Sequence, residues 1–389
     1  MKDRRMMMSL FLLSFILIYG GTHLYFFIKV KTAISPGSLS SFFLGLFLLL
    51  MVLTPVMVRV LEKQGMEAFA RFAAYTGYLW MGFLFLFFSA SLALDIYHGL
   101  LHGAGILFRQ DFSALFPANR TALILSLAWA VTTALYGYFE ARDIRIERVV
   151  ISTPKISSDV GKLTIVQISD VHLGLIVRQE RLKRIIARIN EASPDILVST
   201  GDLVDGLINR MTGLAELMQD IRPRFGKFAV IGNHEIYAGL DQAVGFIERA
   251  GFKVLRNEGS TAGGLINVVG VNDPTIERVT HSRPAPEKTL LSKASPDRFT
   301  LLLKHRPDMD QESLGLFDLQ LSGHVHKGQI FPFNLLTHLF YPVRTGFSQY
   351  PQNSALYVSR GTGTWGPPIR FLAPPEVTVI ELRHMDKKK

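Results

Sequence analysis

The sequence predicts a protein of two parts, in which four membrane-spanning helices precede a water-soluble α/β domain. Hydrophobic residues make up 48% of the 389-residue chain, and they concentrate before about residue 140. After about residue 150, short apolar runs of strand length alternate with segments of helical periodicity. The last third of the chain is rich in strand-like runs, which favours a sheet-on-sheet core covered by helices.

Four apolar runs are long enough to cross a bilayer, which requires about 20 residues. They cover residues 7–28, 41–60, 74–94 and 121–138. Buried helices of water-soluble proteins usually carry shorter apolar runs, of about 10–14 residues. A cleaved signal peptide would explain only the first run, which is too long and lacks a small-residue cleavage site. We therefore expect residues 1–140 to form a transmembrane region.

The basic residues that flank these runs predict the orientation of the chain, because cytoplasmic loops are enriched in Lys and Arg. One side carries Lys2, Arg4, Arg5, Arg59, Lys63, Arg71, Arg142, Arg145 and Arg148. The other side carries Lys29, Lys31, Arg109 and Arg120. This bias predicts a multi-pass protein of the cell (inner) membrane, with both chain ends and the C-terminal domain in the cytoplasm.

Charge and cysteine content limit the partners and the chemistry. The net charge of +10 suits either nucleic acid or an anionic membrane surface. No basic tract interleaved with aromatic residues supports nucleic acid, so we expect the membrane and not nucleic acid as a partner. The sequence contains no cysteine, which excludes disulfide bonds and thiolate metal sites.

The domain over residues 150–389 is predicted from a repeated strand, loop and helix pattern. A first strand lies within residues 140–162, where the composition becomes charged and β-branched. Further strand-like runs lie at 163–168, 195–200, 228–231, 266–269, 300–303, 319–321, 355–358 and 377–382. Helical periodicity covers 180–192, which ends before Pro194, and 240–250, which is closed by Gly251.

Five polar motifs follow the apolar runs of this domain. They are Asp-Val-His at 170–172, Gly-Asp-Leu-Val-Asp at 201–205, Gly-Asn-His-Glu at 232–235, His305, and Gly-His-Val-His at 323–326. Because α/β sheets bind ligands at the carboxyl ends of their strands, we expect the motifs to meet there. Two metals about 3.5–4 Å apart need a shared ligand. Asp202 is the expected bridge, since Gly201 before it lets the backbone approach closely and turn sharply after the strand.

In this order and spacing, the motifs resemble the signature of the calcineurin-like metallophosphoesterase superfamily, over about residues 163–330. The resemblance implies a four-layer α/β/β/α sandwich with a metal site between the two sheets. The segment 359–368 is similar to a membrane-linked bacterial branch of the family. One departure is Lys327, where that branch often has glycine; its side chain either reaches a substrate phosphate or faces solvent.

The resemblance also implies a role for each site residue. The first metal takes Asp170, His172, Asp202 and His326, and the second takes Asp202, Asn233, His305 and His324. The mixed oxygen and nitrogen ligands favour two manganese ions, with iron or zinc as alternatives. The metals make hydroxide available near neutral pH for attack on phosphorus. His234 is the implied catalytic residue, which stabilises developing charge or protonates the leaving group.

Several residues also have purely structural explanations. A lone His305 after an apolar strand is often a packed or capping residue, but its Lys-His-Arg-Pro-Asp context favours ligation. Asp205 is interpreted as a turn or outer carboxylate, and Glu235 as a residue that orients the loop. The histidines outside the motifs are expected to be structural or solvated: His23, His98, His102, His281, His338 and His384.

Two segments leave alternatives open. The basic helix at 178–188 is either a solvated face or a contact for anionic headgroups. The apolar stretch at 330–341 is either core or a lipid-facing wall, because a water-soluble enzyme rarely exposes such a run.

The motifs predict a hydrolase of phosphoesters or phosphoanhydrides, and the apolar runs favour a lipid-linked or membrane-adjacent substrate. Membrane-linked members of the superfamily include UDP-2,3-diacylglucosamine pyrophosphatases of lipid A synthesis, so that pyrophosphate is one candidate. A general phosphodiesterase or phosphomonoesterase of soluble substrates is the alternative. A non-catalytic membrane-anchored scaffold is less favoured, because no metal-binding position is missing. A small transporter is also less favoured, because the spans carry almost no charge.

Overall fold

The computed structural model describes residues 2–206, 211, 213–280 and 286–386. The chain divides into two compact units. The first comprises Met1–Tyr138 with Pro367–Ile369, and the second comprises Phe139–Gly366 with Arg370–Lys389. The main boundary therefore falls where the composition changes from apolar to charged and β-branched.

Long helices make up the first unit. They are α1 (Lys2–Ile34), α2 (Ser38–Lys63), α3 (Glu67–Phe108) and α4 (Asn119–Glu140), with a short 3-10 turn at Ser113–Leu115. All four α-helices contain segments long and apolar enough to cross a membrane. Each predicted span lies within one of them, so the prediction of four long apolar helices is confirmed.

Helix α3 is longer than the predicted span at 74–94. Its 42 residues correspond to about 63 Å, roughly twice the hydrocarbon thickness of a bilayer. The apolar run ends near Asp95, but the helical hydrogen bonds continue until Arg109 takes a left-handed conformation, with a φ of 52°. The hydropathy pattern therefore predicted the apolar segment of α3 but did not predict where the helix ends.

Polar side chains join α1 to α3. Lys29 forms an ion pair with Asp95, and the hydroxyl of Tyr25 donates to the same carboxylate at 2.6 Å. Two residues before Tyr25 on α1, His23 Nε2 accepts a hydrogen bond of 2.9 Å from Trp80 Nε1. Polar groups on apolar helices are costly unless they pair, and these pairs satisfy one another.

The second unit contains two six-stranded sheets. The strands are β1 (Arg145–Thr153), β2 (Lys162–Ile168), β3 (Ile196–Ser199), β4 (Lys227–Ala229), β5 (Lys253–Val254), β6 (Glu258–Ala262), β7 (Ile266–Val271), β8 (Phe299–Lys304), β9 (Leu319–Ser322), β10 (Gly346–Gln349), β11 (Ala355–Val358) and β12 (Glu376–His384). The helices are α5 (Gln179–Glu191), α6 (Leu214–Gln219), α7 (Asn233–Arg249), α8 (Glu277–Thr280), α9 (Glu287–Leu291) and α10 (Phe333–Phe340).

The topology aligns the carboxyl ends of the central strands. The first sheet has the order β1-β12-β2-β3-β4-β5, and β2 to β5 run parallel. The second has the order β10-β11-β9-β8-β7-β6, and β11, β9, β8 and β7 run parallel. The loops that follow β2, β3 and β4 therefore leave one edge of the first sheet together, as do those after β8 and β9 in the second.

The core lies in layers on both faces of each sheet. Leu163 and Ile165 of β2 belong to the cluster between the sheets, together with Leu301 and Leu303 of β8. Residues of the other face of β2 pack with α5, α6 and α7. On the outer face of the second sheet, Leu302 packs with residues of α9. This is the predicted four-layer α/β/β/α sandwich, and the prediction is confirmed.

The beginning of α7 differs from the prediction. The periodic pattern starts at residue 240, but the helix begins at Asn233, before a kink at Gly239 with a φ of 111°. Gly232 is the N-cap, and the Glu235 side chain accepts a hydrogen bond from its N–H. Asn233, His234 and Glu235 therefore lie on a rigid first helical turn and not on a loop.

Candidate metal centre

All seven predicted metal-binding residues lie in loops or helix starts that follow the central strands. Asp170 and His172 follow β2, Asp202 follows β3, Asn233 follows β4, His305 follows β8, and His324 and His326 follow β9. The structure brings these side chains together as two adjoining groups. The sheet topology thus assembles residues that are as far apart as 156 positions in the sequence.

The first group consists of Asp170, His172 and His326, whose ligand atoms lie within 4.8 Å of one another. The two imidazole Nε2 atoms are 3.1 Å apart, and His326 Nε2 is 3.4 Å from Asp170 Oδ1. All three side chains are buried. Nitrogen and oxygen lone pairs that face one another in a buried site repel each other, and a bound cation would stabilise them.

The second group consists of Asp202, His305 and His324. His305 Nε2 lies 3.1 Å from both Asp202 Oδ2 and His324 Nδ1. Asn233 adds its side-chain oxygen at 3.2 Å from the same imidazole nitrogen. Two imidazoles, a carboxylate and an amide oxygen form a mixed set that suits manganese, iron or zinc.

The carboxylate of Asp202 faces both groups. Its Oδ2 is 3.1 Å from His305 Nε2 in the second group and 3.9 Å from His172 Nε2 in the first. Its Oδ1 accepts a hydrogen bond of 2.9 Å from the backbone N–H of His234. This geometry fits the expected bridging role, because one oxygen is shared and the other is fixed.

Several ligating positions have an uncommon backbone conformation. The φ angles are 51° at Asp170, 53° at His172, 52° at Asp202, 70° at His324 and 48° at His326. Left-handed conformations of residues other than glycine are uncommon and persist where surrounding structure enforces them. The strain at this many positions in one cluster marks it as a functional site.

Glycines next to the ligands allow close approach of the loops. A Cβ on Gly323 would lie 1.9 Å from Ser169 Oγ and 2.2 Å from Asp170 Oδ2. Gly201 has a φ of 93°, and a Cβ there would lie 2.6 Å from His305 Nδ1. Both predicted reasons for Gly201, close approach of the backbone and a sharp turn after the strand, agree with this geometry.

The electrostatics of the cluster favour neutral imidazoles at His172 and His324, and a protonated imidazole at His305 beside Asp202. Burial lowers the pKa of His172 to about 4 and that of His324 to about 3, and neighbouring cationic groups act in the same direction. Burial also opposes protonation of His305, but Asp202 and then Asp170 raise its pKa to about 10. Neutral imidazole is the form that binds metals, and carboxylates that attract a proton also attract a cation. The residues present therefore fit divalent metals.

His234 lies beside the two groups and is partnered by Asp205. His234 Nδ1 is 3.1 Å from Asp205 Oδ1, and its ring is 4.6 Å from that of His172. Burial lowers the pKa of His234, but Asp202 and Asp205 outweigh it and raise the pKa to about 9. Asp205, His172 and His234 are also close enough to hold a metal. Asp205 lies closer to His234, at 3.1 Å, than to His172 Nδ1, at 3.9 Å, so we interpret it as an outer carboxylate that pairs with His234.

Glu235 fixes the loops that carry the second group. Its buried carboxylate accepts hydrogen bonds from the backbone N–H groups of Gly232 at 2.7 Å, Asp202 at 2.9 Å and Val204 at 3.1 Å. The loop after β3 and the start of α7 are therefore held by one side chain. This is the orienting role expected from the sequence.

Tyr341 and Arg306 are neighbours of the site that sequence reasoning missed. The hydroxyl of Tyr341 lies 3.0 Å from His324 Nε2 and accepts a hydrogen bond of 3.2 Å from Arg306 Nη1. Arg306 in turn donates from Nε to Asp273 at 2.7 Å. Arg306 directly follows His305 in the sequence, which could have indicated its place near the site. Tyr341 belongs to no motif, so no sequence signal predicts its contact.

Arg370 is a second unexpected neighbour and is fully buried. It donates to the backbone carbonyls of Arg360, Gly363 and Ala373 at 2.8 to 2.9 Å, and its Nη2 lies 3.2 Å from His326 Nδ1. These contacts fold the segment 359–373 against the first group. The sequence predicted that residues 359–368 are similar to one branch of the family, but not that Arg370 packs on a ligand.

Among the described residues, the histidines outside the motifs and Lys327 belong to neither of the two groups. His23 is paired with Trp80, and the ring of His98 lies 4.1 Å from that of Phe116. His281 lies outside the described residues. Lys327 follows His326 with a φ of 51° and has an exposed side chain, as expected for the solvent-facing alternative.

Comparisons with known proteins agree with this geometry. A family model described as calcineurin-like phosphoesterase matches residues 163–328. A metallophosphoesterase of Aquifex aeolicus is 34% identical over 255 residues, which cover 65% of this chain and 97% of the relative. The metallophosphoesterase YkuE of Bacillus subtilis is 34% identical over 292 residues, which cover 71% and 97%. A transmembrane protein with metallophosphoesterase domain from Danio rerio is 28% identical over 300 residues, which cover 73% and 69%.

Among solved structures, a 5'-nucleotidase precursor from Thermus thermophilus is similar with a TM-score of 0.34 and 18% identity, covering 57% of this chain and 54% of that one. The sequence matches carry the assignment, because the Aquifex and Bacillus relatives are covered almost completely. The family resemblance predicted from the five motifs is confirmed. The chain belongs to the calcineurin-like metallophosphoesterase family, whose members bind divalent metals.

Proposed function

We propose that this protein is a membrane-anchored hydrolase that uses two divalent metals to cleave a phosphoester or phosphoanhydride. The observation that carries the proposal is the convergence of two ligand groups on Oδ2 of Asp202. Adjoining metal sites of this kind stabilise both the attacking and the leaving oxygen of an in-line displacement. Membership of the metallophosphoesterase family supports the same class of reaction.

The side chains of the two groups would hold the metals. We assign Asp170, His172, Asp202 and His326 to the first ion, and Asp202, Asn233, His305 and His324 to the second. When bound, two divalent ions activate water near neutral pH and neutralise phosphate charge. Manganese is the proposed metal, with iron and zinc as alternatives, because the ligands mix imidazole with hard oxygen atoms.

His234 is the proposed catalytic acid. Burial opposes protonation of His234, but Asp202 and Asp205 raise its pKa, which favours the protonated imidazole. Asp205 accepts from Nδ1 and so fixes the plane of the ring. The second N–H of the imidazolium can then stabilise negative charge on the leaving oxygen or protonate it. Asp205 is a positioning residue in this scheme.

The proposed substrate is a lipid-linked or membrane-adjacent phosphate, and UDP-2,3-diacylglucosamine is the first candidate. In this proposal residues 1–140 are the anchor and residues 150–389 the catalytic domain. Helix α4 ends at Glu140 and β1 begins at Arg145, so the link is at most about 18 Å long when extended. So short a link would tether the start of the catalytic domain close to the end of the anchor. The Danio rerio relative is likewise named a transmembrane protein.

We further propose the cytoplasmic side of the inner membrane as the location of the catalytic domain. The support is the excess of Lys and Arg before α1, between α2 and α3, and after α4. A fluorescent reporter fused after residue 389 tests this orientation. A reporter that folds only in the periplasm and gives signal there would contradict it.

Hydrolysis assays on the full-length protein in detergent micelles test the proposed activity. We expect turnover of UDP-2,3-diacylglucosamine and of bis(p-nitrophenyl) phosphate with Mn²⁺, and loss of both in Asp202→Asn. The matched control is Asp241→Asn, which changes an exposed carboxylate on α7 and should leave both rates unchanged. Cleavage of the aryl ester alone would favour a general phosphodiesterase of soluble substrates. No cleavage of either, with the metals bound, would favour a non-catalytic scaffold and overturn the proposal.

A further inference from the structure

Helix α10 has an inverted distribution of polar and apolar residues. Its most exposed side chains are apolar, with Leu335 61%, Leu339 76% and Phe340 79% exposed. Its polar residues Asn334 and Thr337 are only partly exposed, and His338 is the one polar residue of the helix with an exposed side chain. A surface helix of a water-soluble protein has the opposite arrangement. The apolar stretch at 330–341 is therefore not core over the length of this helix.

The apolar surface continues from α10 onto a second segment. Ile330 forms a parallel bridge with Phe371, and the backbone N–H of Phe371 donates to Gln329 at 2.9 Å. The Gln329 side chain also forms two hydrogen bonds of 2.9 Å with the backbone of Trp365. This second segment exposes Trp365 and Leu372, each at 52%. Hydrogen bonds thus hold both apolar segments together.

This surface adjoins the metal centre. A Cβ on Gly328, two residues after His326, would lie 2.4 Å from the backbone of Asn334, so α10 packs directly on the ligand loop. Tyr341, the C-cap of α10, has its hydroxyl 3.0 Å from His324 Nε2. At the other segment, the ring of Trp365 lies 5.8 Å from that of His234. Exposed apolar groups therefore lie beside both a predicted ligand and the proposed acid.

The charge of this region suits a lipid surface. The sequence contains no Asp or Glu between Asp318 and Glu376, although it contains Lys327 and Arg344 with exposed side chains. Carboxylates would be repelled by anionic headgroups, whereas basic groups are attracted to them. An exposed apolar patch with a rim of basic residues is the pattern of interfacial helices.

We propose that the docking surface, defined as α10 with Phe331, Trp365 and Leu372, inserts into the headgroup region of the bilayer. Interfacial helices bury their apolar face about 5–10 Å into this region. We propose a bilayer as the occupant rather than a second copy of the chain. The four apolar helices would embed every molecule in a bilayer, and the basic residues at the rim would attract anionic lipid. The docking itself does not require the proposed activity. Only its purpose, which is to bring a lipid phosphate to the metals, rests on the proposed function.

Site-specific fluorescence in proteoliposomes tests the docking, and the absence of cysteine in the sequence makes single labels possible. The full-length variants Leu339→Cys and Leu335→Cys, labelled with NBD, are placed in vesicles of phosphatidylethanolamine and phosphatidylglycerol. The matched control is Lys288→Cys on α9, whose side chain is 57% exposed. We expect brominated acyl chains to quench most of the emission at 335 and 339, and iodide to quench the control.

Two results would overturn the proposal. One is iodide quenching at both α10 labels with no effect of brominated lipid, which would place the helix in water. The other is protection from both quenchers that disappears when the protein is diluted in lipid, which would identify a second copy of the chain as the occupant. The fluorescence experiment contains no substrate. Its result therefore does not depend on whether the protein hydrolyses the substrates of the activity assays. Agreement between the two label positions guards against one variant that folds poorly.

Discussion

The substitution Glu235→Gln should weaken the metal centre without touching any predicted ligand. The carboxylate of Glu235 accepts three backbone N–H groups, two of them at Oε2. A glutamine side chain has one oxygen, so it can keep at most the two bonds at that position. Its NH2 group would then face the N–H of Val204, which cannot accept a hydrogen bond.

The expected cost follows from that loss. A hydrogen bond to a charged group contributes about 1.5–3 kcal/mol, so we expect a loss of about 2–3 kcal/mol in the free energy of unfolding. For a domain of this size this corresponds to a fall of roughly 4–12 °C in Tm. Because the same bonds fix the Asp202 loop, we also expect metal affinity to fall by roughly 10- to 100-fold, as for other residues that orient ligands.

Two measurements on the full-length protein check this prediction. Calorimetric titration with Mn²⁺ gives the affinity, and near-ultraviolet circular dichroism gives the Tm. The matched control is Glu248→Gln, an exposed carboxylate on the same helix, which should match the wild type. If Glu235→Gln bound Mn²⁺ as tightly as the wild type and melted at the same temperature, the assigned orienting role would be wrong.

Three further predictions concern the acid and the fold. His234→Ala should lower turnover by about 100-fold or more but keep both metals, as measured by assay and metal analysis; loss of the metals would make His234 a ligand. Asp205→Asn removes a carboxylate that raises the pKa of His234. Because the acid must be protonated, activity should fall at a lower pH than in the wild type, and an unchanged basic limb of the pH profile would exclude this role. Lys227→Met removes a buried ammonium that donates to three carbonyls at the ends of α6 and α7, at 2.8 to 3.3 Å. It should cost about 2–4 kcal/mol in denaturant unfolding, whereas the exposed control Lys253→Met should cost little, and equal effects would refute the capping role.

The sequence predicted the central strands because they are buried on both faces. Such strands are continuous apolar runs, and each of the eight predicted runs after residue 160 coincides with an observed strand. The strands β5, β6 and β10 escaped prediction. All three lie at sheet edges, where one side is solvated and no apolar run is required.

The site was predictable where its residues come in pairs and fixed motifs. Asp170 with His172, and His324 with His326, follow strands whose order in the sheets then decides where they meet. Tyr341 was not predictable, because its contact with His324 depends on the path of α10 between them. Sequence patterns of period two or 3.6 report burial along one element, and they carry little information about contacts made by irregular segments.

The exposure of α10 could also not be predicted from the sequence. The run at 330–341 contains the apolar residues of a core helix, and its sequence allowed both alternatives. The structure separates them by placing Asn334 and Thr337 inward and Leu335 and Leu339 outward. A single apolar run does not specify which of its sides meets the rest of the protein.

The most direct test of the two-metal proposal is the manganese content and electron paramagnetic resonance spectrum of the full-length protein. The proposal predicts two Mn²⁺ per chain and a spin-coupled spectrum, because Oδ2 of Asp202 faces both ligand groups. In Asp202→Asn the coupling should disappear and the content should fall. One uncoupled Mn²⁺ per chain in the wild type, or none, would contradict the two-metal site.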